Sequence, residues 1–280
     1  MYRTGRAGDF AYGRQFWADE YRLNARIAAY PKPYVAFMQG FTMGGGVGVS
    51  AHGSHRIVCD SSRVAMPECG IGLVPDVGGS LLLARAPGFL GTYLAMSGAR
   101  MGPGDAILAG FADTYVPQSA WPDLIATLEA TGDAGAIQAA GQATPKAALA
   151  ARQGEIDALF GRGGHLDIAR ALGQGMSDWA MQARDRINAS SPLAVACAVE
   201  LVARARRSGR VTDALHQEFR YTYRCMEHGD FLEGIRALIV DKDRAPKWRQ
   251  GTLEDVGEDE VAAMLQPLSD GTLELEEDGA

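Results

Sequence analysis

The chain has 280 residues, a formal net charge of −7 and an apolar fraction of 47%. This length is sufficient for a sizeable buried core in one domain, or in one domain with an appendage. No apolar run approaches the ~20 residues that span a bilayer, and the first residues lack the apolar core of a signal peptide. We therefore expect no membrane partner and a cytoplasmic location.

Charge is distributed unevenly along the chain. Ten acidic and no basic residues follow Arg249, whereas 1–249 carry about +3, from 27 basic and 24 acidic residues. This pattern predicts an acidic, solvated tail over 251–280. Neither part has the clustered positive charge of a nucleic-acid-binding surface.

The cysteine and histidine patterns argue against a metal site. The four cysteines are widely spaced and form no C-x-x-C pair, which predicts reduced, buried thiols. They are Cys59, Cys69, Cys197 and Cys225. His52 and His55 are three residues apart, but no carboxylate lies at a matching metal-ligand spacing.

The first fifteen residues are rich in glycine and arginine and are predicted to form a loop. The next segment, 16–29, has helical periodicity, with Phe16, Leu23 and Ile27 on one apolar face. We therefore expect this face to be buried.

The segment 32–60 combines a strand signal with a glycine-rich loop. The apolar run 34–38 follows Pro33 and predicts a strand. Three adjacent glycines, 44–46, allow the backbone to approach a ligand closely and precede a predicted short helix at 47–52. Unpaired N–H groups at the start of a helix stabilise a developing oxyanion. A second strand is predicted at 56–60.

Two acidic residues follow, each directly after a proline. Pro67 and Pro75 disfavour regular helix there, so Glu68 and Asp76 are expected on rigid turns. The apolar neighbours of Glu68 predict a raised pKa, which suits a nucleophile or general base near neutral pH. Asp76 precedes a predicted helix, a location that favours the ionised carboxylate, so Glu68 is expected to have the higher pKa of the two.

The remainder of the chain is predicted to be mainly helical. An alanine-rich region at 121–189 is broken by glycines. The other predicted helices lie at 78–86, 89–97, 104–109, 191–208, 211–228 and 231–240.

Four motifs point to one family: TMGGGVG at 42–48, AMPE at 65–68, IGLVPDVGG at 71–79 and DFLEGIRA at 230–237. Together they resemble the crotonase (enoyl-CoA hydratase/isomerase) superfamily, and within it the 3-hydroxyisobutyryl-CoA hydrolases. The resemblance extends from about 16 to 248. It implies an α/β fold, a crotonase-like ββα spiral with a C-terminal helical region.

The resemblance also implies roles for four residues. The Gly45 N–H would polarise a thioester carbonyl, and Glu68 would attack that carbonyl or activate water. Asp76 and Glu20 would bind the substrate hydroxyl and orient Glu68. Without the resemblance, Glu20 is best interpreted as a solvated helix acid, and with it the two interpretations are equally well supported.

The acidic positions distinguish the subclasses of the superfamily. Hydratases carry a pair of glutamates, and at the first of these positions this chain has Gly48. Of that pair only Glu68 remains, and Asp76 appears instead, as in the hydroxyacyl-CoA hydrolases. This combination favours hydrolysis of a short 3-hydroxyacyl-CoA, by resemblance 3-hydroxyisobutyryl-CoA in valine degradation. CoA is then part of the substrate, and no separate cofactor is expected.

The family's first strands precede a helix like the one predicted at 16–28, and no strand is predicted before it here. We therefore expect an N-terminally truncated crotonase-like core at 1–118, a helical region at 119–250 and the acidic tail at 251–280. Two alternatives stay open: an enoyl-CoA hydratase or isomerase, and a catalytically impaired CoA-binding fragment. The expected partners are an acyl-CoA substrate and a second copy of the chain in a homo-oligomer.

Overall fold

The computed structural model describes residues 1–269 and 271–275. Within that part of the chain the strands are β1 (Val35–Met38), β2 (Phe41–Met43), β3 (His55–Val58), β4 (Arg63–Ala65) and β5 (Thr114–Tyr115). The α-helices are α1 (Tyr2–Arg6), α2 (Ala11–Ala28), α3 (Gly45–Ser50), α4 (Gly79–Arg85), α5 (Leu90–Ser97), α6 (Pro103–Leu108), α7 (Trp121–Thr131), α8 (Gly135–Ala140), α9 (Gln153–Phe160), α10 (His165–Gln174), α11 (Asp178–Asn188), α12 (Pro192–Ser208), α13 (Val211–His228), α14 (Phe231–Ile235) and α15 (Glu258–Leu265).

The strands of the described chain form two small parallel sheets, in the orders β1-β3-β5 and β2-β4. In the second sheet Met43 lies opposite Ala65, and each is the last residue of its strand. Because the strands are parallel, the chain leaves both of them at the same edge of the sheet. The segments that follow, beginning at Gly44 and at Met66, are therefore neighbours in space.

Helix α12 is the centre of the helical layer. It packs against α4, α5 and α13, and α13 packs in turn against α2 and α15. Ser191 is the N-cap, with its hydroxyl accepting a hydrogen bond from the Ala194 N–H, and Pro192 occupies the first turn. Gly209 closes the helix in the left-handed conformation. These local signals explain why the predicted boundaries of α12 are confirmed to within one residue; the predicted boundaries of α13 are confirmed as well.

The N-terminal region differs from the prediction. A short helix, α1, lies where a loop was expected, and α2 begins five residues before the predicted start. The predicted apolar face was also wrong in part, because Phe16 and Leu23 are 44% and 48% exposed while Trp17 and Tyr21 are buried. Packing against α13 selects the buried face of α2, and the ring of Tyr21 lies 6.0 Å from that of Phe219.

The acidic C-terminal segment is not a solvated tail over its described part, and that prediction was wrong. Apolar side chains interspersed among the acids pack against α12 and α13, which removes them from water. The buried ones are Leu253, Val256, Val261, Met264, Leu265 and Leu273. Residue 270 and residues 276–280 of the predicted tail lie outside the described residues.

Among the described helices, none is long and apolar enough to cross a membrane. All four cysteines are free and buried, as the spacing predicted. The cytoplasmic location stays a prediction.

Gly91 provides a test of the packing between α4 and α5. A Cβ atom added at Gly91 would lie 1.7 Å from the carbonyl oxygen of Leu83 in α4, so the two helices would have to separate. We expect Gly91→Ala to lower the free energy of unfolding by about 3 kcal/mol, the upper end of the usual range for overpacked cores. Urea unfolding followed by circular dichroism measures this.

Gly173 in α10 is the matched control, because a Cβ atom there would meet nothing within 4 Å. Gly173→Ala should leave stability unchanged or raise it by up to about 1 kcal/mol through helix propensity. Equal stabilities for the two variants would contradict the described packing.

Candidate active site

The centre of the site is the start of α3, directly after β2. Gly44 adopts φ +54°, the left-handed region that favours glycine, and turns the chain from the strand into the helix. The helix begins at Gly45, two residues before its predicted start. The N–H group of Val47 donates to the Gly44 carbonyl oxygen, but the first N–H groups of a helix have no acceptor within it, so the Gly45 N–H is available to a ligand oxygen.

The carboxylate of Glu68 lies beside this turn. Glu68 begins a short 3-10 helix after Pro67, and its Oε1 is 3.0 Å from the position a Cβ atom would take on Gly44. The side chain is buried, and Oε2 has no hydrogen-bond partner among the described residues. Burial raises the pKa of Glu68 to about 8, with smaller contributions from Glu218 and Glu20. The raised pKa predicted for Glu68 is confirmed.

Glu20 on α2 reaches the same turn from the other direction. Its Oε1 is 2.9 Å from the position a Cβ atom would take on Gly45. Burial raises the pKa of this carboxyl group too. Two carboxylates therefore face consecutive glycines at the start of α3, and Glu20 is not a solvated helix acid.

Asp76 lies on a strained turn that follows the 3-10 helix. Its Oδ2 accepts a hydrogen bond of 2.8 Å from the hydroxyl of Tyr21, the residue after Glu20 on α2. The next residue, Val77, has φ +54°, which is unfavourable for a β-branched side chain. Such strain persists only where the surrounding structure holds it in place.

The pKa direction predicted for Asp76, a lowered value that favours the ionised form, was wrong. Burial raises its pKa well above the ordinary value, and the neighbouring carboxylates of Glu68, Glu20 and Glu218 raise it further. The proximity of a helix start does not compensate for this, because the N-terminus of α4 is occupied by another acid.

That acid is Glu218, which the sequence did not reveal. It is fully buried on α13, where Oε2 accepts from the Gly78 N–H at 2.7 Å and Oε1 from the Ser80 N–H at 3.0 Å. The Ser80 hydroxyl also donates to Oε1. Burial raises the pKa of Glu218 to about 7, although these hydrogen bonds lower it. Glu218, not Asp76, is therefore the cap of α4.

No side chain fits at position 48. A Cβ atom on Gly48 would lie 2.7 Å from Asn24 Nδ2 and 2.8 Å from Val77 Cβ. Asn24 is fully buried, and neither polar atom of its amide has a partner among the described residues. Asn24 and Val77 therefore close the space that a glutamate at position 48 would need.

The two histidines and Cys69 have structural surroundings. His52 Nε2 donates to the Val77 carbonyl oxygen at 2.7 Å, and the Nδ1 of His55 lies 2.9 Å from the Ser54 hydroxyl. Burial raises the pKa of the Cys69 thiol well above its usual value, which makes it a poor nucleophile. In 1–269 and 271–275, no group of three or more His, Cys, Asp or Glu residues could hold a metal ion.

An N–H donor beside buried carboxylates of raised pKa is the arrangement that activation of a carbonyl group requires. The chain belongs to the enoyl-CoA hydratase/isomerase (crotonase) family, whose sequence pattern matches residues 1–265. The fold is shared as well. The enoyl-CoA hydratase of Rhodobacter sphaeroides superposes with a TM-score of 0.93 over 98% of this chain and 80% of its own, at 51% identity.

Further relatives place the chain among acyl-CoA-processing enzymes. The carnitinyl-CoA dehydratase of Mycobacterium thermoresistibile is 43% identical, with a TM-score of 0.92 over 98% of this chain and 79% of its own. The mitochondrial 3-hydroxyisobutyryl-CoA hydrolase of Gallus gallus is 35% identical over 97% of this chain and 73% of its own length. The mouse protein of the same name is 35% identical over 94% and 71%.

Proposed function

We propose that this chain hydrolyses the thioester bond of a short 3-hydroxyacyl-CoA, with 3-hydroxyisobutyryl-CoA as the first substrate to test. The names of the chicken and mouse relatives support this choice. The names of the two solved relatives favour a second candidate, addition of water to an enoyl-CoA.

The closed space at Gly48 is the observation that favours thioester hydrolysis over addition of water to an enoyl-CoA. Addition of water across a C=C bond uses an acid and a base on the same face of the substrate, and the resemblance implies that hydratases carry one of these at position 48. Here Asn24 and Val77 exclude any side chain from that position. Glu68 therefore lacks this partner, whereas a thioester hydrolase needs only one reactive carboxylate and an oxyanion donor.

The geometry supports two alternative routes for the proposed thioester hydrolysis. In the first, Glu68 attacks the thioester carbon, the C–S bond breaks, and water then hydrolyses the acyl-carboxylate anhydride. In the second, Glu68 removes a proton from water, and that water attacks the carbon. In both routes the Gly45 N–H stabilises the negative charge on the carbonyl oxygen, and the thiolate of CoA leaves and takes up a proton.

Asp76 and Glu20 are the proposed partners of the substrate hydroxyl. Glu20 lies beside Gly45, the proposed oxyanion donor, and Asp76 is hydrogen-bonded to Tyr21, the neighbour of Glu20 on α2. A carboxyl group with a raised pKa can either donate or accept a hydrogen bond near neutral pH, which suits a hydroxyl ligand.

Release of free CoA from matched acyl-CoAs tests the proposal. We expect kcat/KM for 3-hydroxyisobutyryl-CoA to exceed that for isobutyryl-CoA by at least about 10²-fold, because losing the hydroxyl leaves buried polar groups unpaired. Equal rates on the two substrates would contradict the assigned role of the hydroxyl. Loss of enoyl absorbance from crotonyl-CoA at a rate comparable with thioester cleavage would instead establish the hydratase.

A further inference from the structure

Helix α13 holds both of the turns that carry the reactive acids. Glu218 binds the backbone N–H groups of Gly78 and Ser80, two and four residues after Asp76. One turn further along the helix, the buried hydroxyl of Tyr221 donates to the carbonyl oxygen of Gly72 at 3.1 Å. Gly72 ends the 3-10 helix that Glu68 begins.

The turn from Asp76 to Ser80 is fixed from three directions. Tyr21 on α2 binds the Asp76 carboxylate, His52 binds the carbonyl oxygen of Val77, and Glu218 binds the two N–H groups that follow. Val77 is held at an unfavourable positive φ between these contacts. Removing one of the three should let the backbone relax and move the Asp76 carboxylate.

Glu218 also acts on the site through its charge. Its carboxylate raises the pKa of Glu68 and of Asp76, although in this role it does not contact the substrate. It raises the pKa of Tyr21 as well. In the described part of the chain, five titratable groups surround Glu218. They are Glu20 and Tyr21 on α2, Glu68 at the start of the 3-10 helix, Asp76 on the following turn and His52 just after α3.

We infer that Glu218 is a positioning residue for the proposed thioesterase. From α13 it fixes the Asp76 turn and influences the charge of the neighbouring carboxylates Glu68 and Asp76. The inference rests on the proposed function. Glu218 has no contact with substrate in this role. It acts through the α4 N-terminus on Asp76 and through its electric field on Glu68.

Glu218→Gln is the principal variant, because it keeps the shape of the side chain, removes the charge and leaves one backbone N–H without its acceptor. We expect kcat for 3-hydroxyisobutyryl-CoA to fall by about 10- to 100-fold, with affinity for free CoA unchanged, as for a displaced catalytic group. Loss of the negative charge lowers the pKa of Glu68, so the acid limb of kcat/KM against pH should move to lower pH.

Glu227→Gln is the matched control on the same helix, since Glu227 is exposed and its ion pair with Arg14 lies at the surface. It should leave kcat and the pH profile at parental values. A merely structural role for Glu218 predicts a lower melting temperature with an unmoved pH profile, and that result would overturn the inference. A parent protein inactive on every acyl-CoA would overturn the proposed function, and this inference with it.

Ser80→Ala provides the test if Glu218→Gln does not fold. It removes the hydroxyl contact to Glu218 but leaves the carboxylate and both backbone hydrogen bonds. We expect a kcat several-fold below the parent with KM unchanged. A parental kcat for Ser80→Ala would count against the positioning role.

Discussion

Replacing Glu68 by glutamine should reduce kcat for 3-hydroxyisobutyryl-CoA by about 10³-fold or more, the size of effect expected for a lost nucleophile or base. An amide neither attacks a carbonyl carbon nor removes a proton from water. In the parent, kcat/KM should rise with pH towards a plateau above about 8, because Glu68 acts in its ionised form and burial raises its pKa to about 8. Initial rates of CoA release between pH 5.5 and 9.5 measure both effects.

Cys69→Ser is the control for this variant, because Cys69 is the neighbouring residue that could act as a rival nucleophile. Its thiol is buried and donates to the Ala95 carbonyl oxygen at 3.5 Å, a contact that serine can reproduce. Turnover should stay within about threefold of the parent. An inactive Cys69→Ser protein with a parental melting temperature would show that the Cys69 thiol, and not Glu68, is the nucleophile.

The same Glu68→Gln protein gives a readout that is independent of activity. A buried carboxyl group whose pKa is raised stabilises the fold while it is protonated, and that contribution is lost as pH rises from the unfolded pKa towards about 8. Glutamine resembles the protonated form at every pH. The melting temperature of the variant relative to the parent should therefore be higher at pH 9 than at pH 5.

Replacing Asp76 by asparagine has the second-largest expected effect. Its Oδ2 is engaged by Tyr21, and a carboxyl group with a raised pKa can both give and take a proton at its other oxygen, which an amide cannot. We expect kcat to fall by about 10²-fold while the affinity for CoA, measured by calorimetry, changes little.

Asp60 supplies a control with the same chemistry outside the site. The hydroxyl of Tyr115 donates to Asp60 Oδ1, so this is a second tyrosine–aspartate pair, and Asp60 is exposed. Asp60→Asn should leave kcat at the parental value. If Asp76→Asn were equally harmless, Asp76 would have only a structural role, visible as a loss of about 1 kcal/mol in stability.

Local signals in the sequence account for much of the fold and for part of the site. Pro33 and the glycines at 44–46 mark the strand and the turn, and Ser191 with Pro192 marks the start of α12. The apolar neighbours of Glu68 gave the direction of its pKa. Each of these features is decided within a few residues of the chain, where local rules hold.

The features that the sequence missed depend on contacts between distant residues. Strands β2 and β4 have three residues each, too few to show a period. Glu218 is 140 residues from Gly78, and nothing in the pattern of α13 distinguishes it from a solvated glutamate. The pKa of Asp76 follows from burial beside three other carboxylates, which a local rule about helix ends does not include.

The tight packing around Gly48 has a consequence for how this site could change during evolution. A glutamate at position 48 collides with Asn24 and Val77, so that substitution is deleterious in the present background. Both contacts would have to be relieved first, by smaller residues at positions 24 and 77, although these changes bring no new activity by themselves. The substitutions are therefore coupled, and an order that introduces the glutamate last avoids the collision. Random mutagenesis that samples single changes should therefore rarely yield a folded protein with glutamate at position 48.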